Sequence, residues 1–339
     1  MKQLSIIGLS KAGKTCYIYA MAKSMLKGYD GINIIALDDD LRDQLNDGWR
    51  QIRRGMHWPD GTDHVTTCEF DCSLNLHPIM EFCWNDFKGG TLTSMNEIDK
   101  KYKKEFQEYL GSSDGLLLFV PADNIQDILR ETDDAEDILD DLDVLNELFM
   151  NPQNRSTLAR IPVTVVVTKA DLLTDQEKPY VYEIVQMLFK PLFEVGNNMH
   201  TLVVPVSIGE NLGRGNQGQE IQGTVFQNPK DGNIHIPIVF NLYHFLKDCI
   251  AVERRRLGDI DAETQRRVAK LRTAESHNGI QRWWNGENRD EIRREIHSNE
   301  DLQKRKKEEI RNLESQLNKI SSLFTQDCKY FINGNLVSF

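Results

Sequence analysis

The chain has 339 residues, more than one average domain needs, so a main domain with an accessory segment is the starting expectation. An apolar share of 40% suffices for a sizeable core, and a net charge of −11 argues against nonspecific nucleic-acid binding, which is driven by neutralising phosphates. No apolar stretch approaches the roughly 18 residues of a membrane span and no targeting signal is visible, so a cytoplasmic protein without a membrane span is expected.

Leu4–Ile7 is a short apolar run closed by Gly8 and reads as a buried strand, followed by a helix over Thr15–Lys27. Ile32–Leu37 reads as a further strand and Asp38–Arg54 as a polar helix, before the turn signal Pro59-Asp60-Gly61-Thr62. Val65–Leu76 and Ile79–Trp84 pattern as paired extended segments, with Asn75, His77 and Pro78 at the turn. Cys68 and Cys72 share one face of the first of them. With Cys16, Cys83, Cys249 and Cys328 they form neither a Cys-x-x-Cys pair nor a zinc-like cluster, and fit reduced core thiols.

Gly115–Val120, Ile161–Val167 and Leu202–Val206 are unbroken apolar runs, the pattern of central strands covered on both faces. Helical patterns alternate with them at Asn96–Leu110, Asp123–Met150, Gln176–Val195 and Pro237–Ala251. This order predicts an α/β fold with a doubly wound, mostly parallel sheet. The acidic residues of the second helix (Asp133, Asp134, Glu136, Asp137, Asp140, Asp141, Asp143) suit a solvated face, with a basic partner surface as the alternative. Gly209–Asn233, rich in Gly, Gln and Asn, reads as a mobile loop.

Composition changes beyond Val252. Residues 252–320 carry 17 Lys and Arg against 14 Asp and Glu, so the negative excess belongs to the first part of the chain. Two domains are therefore expected: residues 1–250, and a helical extension over 251–339 built as a hairpin or short coiled coil. Its break falls at Asn278-Gly279 and around Trp283-Trp284-Asn285-Gly286. The adjacent tryptophans fit packing on the protein's own domain, or an anchor for a partner. Such an extension suits a protein partner or self-association.

Gly8-Leu9-Ser10-Lys11-Ala12-Gly13-Lys14-Thr15 fits the phosphate-loop pattern G-x-x-x-x-G-K-S/T without a mismatch. Its glycines let the backbone curl so that N–H groups, those of Ser10, Lys11, Ala12 and Gly13 included, can face one anion, and the following helix adds its positive end. Lys14 supplies a cation to the outer phosphates and Thr15 a hydroxyl for Mg²⁺, with Cys16 next in line on the same helix turn. Base choice falls to Thr168-Lys169-Ala170-Asp171, at the end of the Ile161–Val167 strand, where an open α/β sheet places its ligands. The Asp171 carboxylate can accept from guanine N1 and N2, a pair that adenine lacks. The Lys169 stem can lie along the base, and Thr168 can tie this loop to the phosphate loop.

These motifs resemble those of the TRAFAC-type P-loop GTPases over roughly residues 1–250. Gly8–Thr15 matches the first motif of that family, Asp86-Phe87-Lys88-Gly89 its D-x-x-G, and Thr168–Asp171 its N/T-K-x-D. Val206-Ser207, with Ile208, sits where the family has its last base-contacting loop. More narrowly, the chain is similar to the divergent bacterial GTPases of the double-GTPase type, which occur beside partner proteins in conflict or signalling gene clusters. The resemblance implies GTP or GDP as ligand with Mg²⁺, Asp86 reaching the metal through water, and the Gly89 N–H sensing the γ-phosphate. It also implies a switch threonine on the metal, for which Thr62 is the best-placed residue. Thr66 and Thr67 lie inside a strand pattern and read as structural.

The position after D-x-x-G, a glutamine in Ras-like members, is Gly90, which cannot orient a water. Lys11 could instead neutralise charge between the β- and γ-phosphates in the manner of a bound cation or an arginine finger, or could simply face solvent and steer an anion. The expected function is a guanine-nucleotide switch with slow hydrolysis. The alternatives are a non-hydrolysing scaffold, an interaction protein working through residues 252–339, and an ATP-dependent enzyme, which only Asp171 argues against.

Overall fold

A computed structural model describes residues 1–8, 11–59, 66–86, 104, 107–214, 221–276 and 289–339. The chain opens with β1 (Lys2–Gly8), α1 (Lys14–Leu26), β2 (Ile32–Ala36) and α2 (Asp39–Arg53), as the apolar spacing predicts. Asp38 caps α2 by accepting from the Leu41 N–H at 2.7 Å, and Asp39 and Asp40 follow in its first turn, where negative charge is favoured. β3 (Thr66–Leu74) and β4 (His77–Asp86) pair antiparallel through a turn in which Asn75 and Leu76 both have positive φ, 51° and 66°. Pro78 therefore lies inside β4 rather than in the turn, opposite Ser73, at a shift of register.

β5 (Gly115–Pro121) and β6 (Pro162–Thr168) are buried along their whole length. Between them the single helix expected over Asp123–Met150 is divided into α3 (Ala122–Leu129) and α4 (Ala135–Met150). The chain turns at Glu131, whose φ of 52° cannot continue a helix. α5 (Pro152–Leu158) starts on an Asn151 cap with proline at its first position. The expected Gln176–Val195 helix is likewise divided, into a 3₁₀ turn at Lys178–Tyr180, α6 (Val181–Leu188) and α7 (Lys190–Phe193), with Pro179 and Pro191 at the starts of the new pieces. β7 (His200–Pro205) precedes a two-stranded hairpin, β8 (Gly209–Arg214) and β9 (Ile221–Val225), where the sequence suggested a mobile loop. Of the expected Asn96–Leu110 helix only 104 and 107–110 fall within the described residues.

α8 (Ile236–Ser276) and α9 (Arg289–Ser321) follow, and then β10 (Lys329–Ile332) and β11 (Asn335–Val337). The main sheet runs β11-β10-β7-β6-β5-β1-β4-β3-β2. Its centre, β7-β6-β5-β1-β4, is parallel, and antiparallel strands close both sides. One face packs Leu116, Leu118, Val163, Val165 and Val167 against Leu142, Leu145 and Phe149 of α4 and Val181 and Val185 of α6. On the other, Tyr17 of α1 meets Phe119 and Trp84 edge-on at 5.3 and 5.8 Å. Fully burying one such Leu or Phe contributes about 1.5–3 kcal/mol, so this doubly covered centre holds the strand ends in place.

Two compact units divide the chain: Met1–Asn241 with Leu323–Phe339, and Leu242–Ser322. The extension expected over 251–339 is thus not helical to its end. Its last residues return to the first unit, where β10 pairs with β7 and covers what would be an open strand edge. Aromatic packing drives the return: Phe331 meets Phe193 edge-on at 5.0 Å, and Tyr330 meets Phe240 at 5.1 Å. The second unit is an antiparallel pair formed by the remainder of α8 with α9. Arg254–Glu314 (2.6 Å), Glu253–Lys306 (2.7 Å) and Glu275–Arg293 (2.9 Å) cross between the helices. Glu253 is buried, and its hydrogen bond from Lys306 holds its carboxyl below the usual range. The break around Asn278-Gly279 and Trp283-Trp284 lies outside the described residues. No helix among the described residues is long and apolar enough to cross a membrane.

Candidate functional site

The chain leaves β1 to one side for β4 and to the other for β5, and at such a switch point a parallel sheet opens a crevice at its carboxyl edge. Register brings the predicted residues to this edge. Gly8 pairs with Phe119, Ile6 with Asp86, Pro121 with Thr168, and Val167 with Pro205.

α1 starts on Gly13 with φ 77°, a left-handed conformation that an L side chain resists. This N-cap contributes no side chain, and no acidic residue stands in the first turn, in contrast to α2, which carries its own anions. The N-terminus of α1 is therefore suited to an external anion. Lys14 is buried and curls back over the loop, donating to the Gly8 carbonyl at 3.3 Å. Lys11 is exposed, with φ 61°, while Ala12 is buried beneath it. Thr15 and Cys16 follow in the first turn of α1, half-buried. Burial pushes the Cys16 thiol up to about 12 against the opposing pull of the Lys169 ammonium, so the thiol stays protonated beside the Thr168–Asp171 loop.

That loop is joined to the phosphate loop directly. The buried Thr168 hydroxyl donates to the Ala12 carbonyl at 2.8 Å, the tie expected from the sequence. Lys169 adopts φ 55° and sends its ammonium to Asp123 at 2.5 Å, a half-exposed pair at the start of α3. Ala170–Leu172 forms one 3₁₀ turn that presents Asp171. The Asp171 Oδ1 lies 2.9 Å from the Ser207 hydroxyl, and its Oδ2 accepts the Leu212 N–H at 3.1 Å. The single Ser207 proton can go to Asp171 or to the nearby Gly209 carbonyl. The Ser207 N–H donates to the Gly232 carbonyl at 3.0 Å, and the Ile208 carbonyl accepts from Phe226 at 3.0 Å.

Asp86 ends β4 beside β1. Ser10, Thr62, Gly89 and Gly90 lie outside the described residues. Thr67 donates to Asn85 across the β3–β4 pair at 3.0 Å, which fits its structural assignment. Among the described residues no cluster of His, Cys, Asp and Glu could hold a metal by itself. A magnesium ion would rest instead on oxygen donors such as Thr15 and Asp86, together with phosphate oxygens.

Sequence reasoning missed two partners that brace the stretch around Asp171: Asp123, which holds Lys169, and Glu177, which holds Thr174 and Gln126. Asp123 could have been noticed at the end of β5, the edge where ligands gather. Glu177 could not, because Gln126 and Arg130, which complete its set of donors, lie 51 and 47 residues away. It accepts from the Thr174 N–H and hydroxyl (both 2.9 Å), from Gln126 (2.8 Å) and from Arg130 (2.6 and 3.0 Å), while Gln126 also donates to the Leu172 carbonyl at 2.8 Å. This knot fastens α3 to the turn that carries Asp171. The Thr174 N–H above all, with the side-chain donors, holds the Glu177 carboxyl down at about 2. Its folded value lies below the ordinary 4.5, so the stabilisation is complete above about pH 4.5 and is lost as pH falls toward 2. Glu177→Gln should lower stability at pH 7 by about 1–3 kcal/mol. In urea titrations across this range the gap from wild type should close as the pH drops. A gap constant in acid would dismiss the charged knot.

The sequence matches the double-GTPase 1 family over residues 5–210. No curated protein matches it. Among solved structures, the chain is similar to a bacterial selenocysteine-specific elongation factor, EF-Sec, at 16% identity and a TM-score of 0.30, covering 61% of this chain and 26% of that one. It is also similar to the signal recognition particle receptor SRb-GTP/SRX complex from Chaetomium thermophilum, at 15% identity and a TM-score of 0.35, covering 64% and 93%. This chain thus spans about a quarter of the elongation factor's length. With the family match extending over more than half of the sequence, the chain belongs to the double-GTPase 1 family of P-loop GTPases.

Proposed function

We propose that this protein is a molecular switch that binds GTP with Mg²⁺, hydrolyses it slowly to GDP and phosphate, and passes its state to a protein partner through its C-terminal helices. The observation that carries this reading is the Thr168–Ala12 bond, which ties the phosphate loop to the loop that carries Asp171. Phosphates would occupy the N-terminus of α1 and the reach of Lys14, and the base would meet Asp171. The hydroxyl of Thr15 and the carboxylate of Asp86 are hard oxygen donors of the kind Mg²⁺ takes, and the ion would supply charge neutralisation at the outer phosphates. Thr62 and Gly89 complete the set by resemblance, Thr62 toward the metal and the Gly89 N–H toward the γ-phosphate.

Lys11, at the exposed rim of the loop, is the proposed source of transition-state charge neutralisation in place of the missing glutamine. A path toward the helices is supported by bonds at their root. Asn233 donates to the Pro205 carbonyl at 3.0 Å and accepts from Thr325 at 3.2 Å, and His235 meets the Leu323 carbonyl at 3.3 Å. The segments just before α8 and just after α9 therefore share partners with the strand that leads into Ser207. Gly90 favours a second reading, a scaffold that holds GTP without turning it over.

The test is titration of the purified chain with fluorescent GTP and ATP analogues in the presence of Mg²⁺, followed by single-turnover hydrolysis with wild type and Lys11→Ala. Tight binding of GTP alone, with slow turnover that drops further in the variant, is expected. Equal binding of ATP would overturn the guanine reading. No turnover at all would leave the scaffold, and turnover unchanged in Lys11→Ala would remove the role of that lysine.

A further inference from the structure

The β8–β9 hairpin begins two residues after Ser207 and has no counterpart among the motifs that define the nucleotide site. It is not a free flap. In its first strand the Leu212 N–H donates to Oδ2 of Asp171 at 3.1 Å. In its second the Ile221 N–H donates to the Gly55 carbonyl at 3.0 Å, just past the end of α2. The two strands close on each other through Gly209–Val225 and Arg214–Ile221 pairs, and Ile221 and Val225 are buried. Register shifts between Glu210 and Gly213, which takes Leu212 out of regular pairing within the hairpin and leaves its N–H to turn to Asp171.

We infer that this hairpin is a positioning clamp for base recognition: the Leu212 main chain sets the rotation of the Asp171 carboxylate and thereby the discrimination for guanine. The inference rests on the reading of Asp171 as the guanine acceptor. A carboxylate has about four lone-pair sites on two oxygens. With the Ser207 proton directed to Asp171, that hydroxyl and the Leu212 N–H take one on each oxygen, and Asp171 keeps a half-exposed face. One acceptor site on each oxygen is thus left for the two donors of a guanine edge, side by side. Without Leu212 the carboxylate could rotate about its last torsion, and the two remaining sites would no longer match N1–H and N2–H together. Bracing of the hairpin at Gly55 and at Asp171 fits a fixed clamp better than a lid that must lift to admit the base.

Gly223 offers a way to spring the clamp from a distance. It has φ 105°, and a Cβ there would lie 2.5 Å from the Asn211 carbonyl oxygen and 2.6 Å from that of Glu210, the backbone immediately before Leu212. Gly223→Val should push that strand away and break the Leu212 bond without touching Asp171. A second variant replaces residues 209–225 by a short Gly-Ser turn between Ile208 and Phe226, whose backbones are already hydrogen-bonded at 3.0 Å.

Both variants and wild type would be titrated with GTP, inosine triphosphate and ATP. Inosine lacks the 2-amino group, so the GTP-to-inosine affinity ratio reads the second carboxylate contact, and ATP reads the phosphates alone. In the variants GTP should weaken about tenfold and the GTP-to-inosine ratio should fall toward one, with ATP affinity unchanged. General loosening of the fold would weaken all three nucleotides together and would overturn the clamp, as would GTP binding that is unchanged or tighter. If wild type itself fails to prefer GTP over ATP, the guanine reading falls and the inference with it. Should Gly223→Val not fold, the turn replacement decides.

Discussion

Asp171→Asn is expected to exchange guanine for xanthine nucleotides, with GTP affinity falling roughly 10²–10⁴-fold, in the range of sites built to pair a specific donor set. Guanine presents two donors on this edge, and in the proposed site the carboxylate would accept both. An asparagine has one acceptor and one donor group, so the 2-amino group of guanine would face an amide N–H. Xanthine carries a carbonyl in that position and restores the match. The local geometry also dictates which way the new amide turns. Its nitrogen cannot stand at Oδ2, where the Leu212 N–H already points at 3.1 Å, but it can stand at Oδ1, because the Ser207 hydroxyl can rotate and accept. Parallel titrations of wild type and variant with GTP and xanthosine triphosphate would check the exchange. Undiminished GTP binding by the variant would mean that the Thr168–Asp171 turn does not read the base.

The parts of this site that the sequence announces are those where local backbone conformation does the work. Gly13 supplies the left-handed cap of α1, the apolar run before Gly8 becomes β1, and the Ile161–Val167 run delivers Thr168 to the carboxyl edge. These are short-range rules, so they survive without knowledge of the tertiary structure. Central strands were legible for the same reason, because continuous apolar runs suit only a doubly covered position.

Most of what stayed illegible depends on contacts between distant residues. β10 is four residues long and follows a polar helix of 33 residues, so no pattern marks it as a strand until β7 is present to pair with it. The β8–β9 hairpin looks like a loop because only the ends of β9 are buried, and it holds through bonds to Asp171 and Gly55 rather than through an apolar face. The division of the acidic helix at Glu131 had no glycine or proline to signal it. There the Thr132 N–H bonds back to the Asp127 carbonyl at 3.1 Å and the Thr132 hydroxyl to its carboxylate at 3.1 Å, a local alternative to helix that threonine and aspartate offer. The Glu177 knot joins residues up to 51 apart, and charge alone would have placed that carboxylate in solvent.

Lys14→Ala should abolish productive GTP binding while leaving the ligand-free fold intact, and the contrast between these two effects is the informative part. Lys14 is 6% exposed at the base of the loop, and its bond to the Gly8 carbonyl is long at 3.3 Å. A buried ammonium is costly unless it is well compensated, and phosphate oxygens are strong, charge-assisted acceptors for it. Truncating one partner of such a charged, desolvated pair costs about 2–5 kcal/mol, or roughly 30- to 5,000-fold in affinity. The measurement is thermal melting with and without GTP and Mg²⁺. At a ligand concentration 100 times Kd, wild type gains about 2.7 kcal/mol, enough to raise its melting point by several degrees. The variant should melt close to ligand-free wild type and gain nothing at the same GTP concentration. A variant that melts far lower even without nucleotide would show that Lys14 holds the fold rather than the ligand. A variant that keeps the full GTP-induced shift would mean that the anion does not sit at the start of α1, and the two loops joined by Thr168 would then need another ligand.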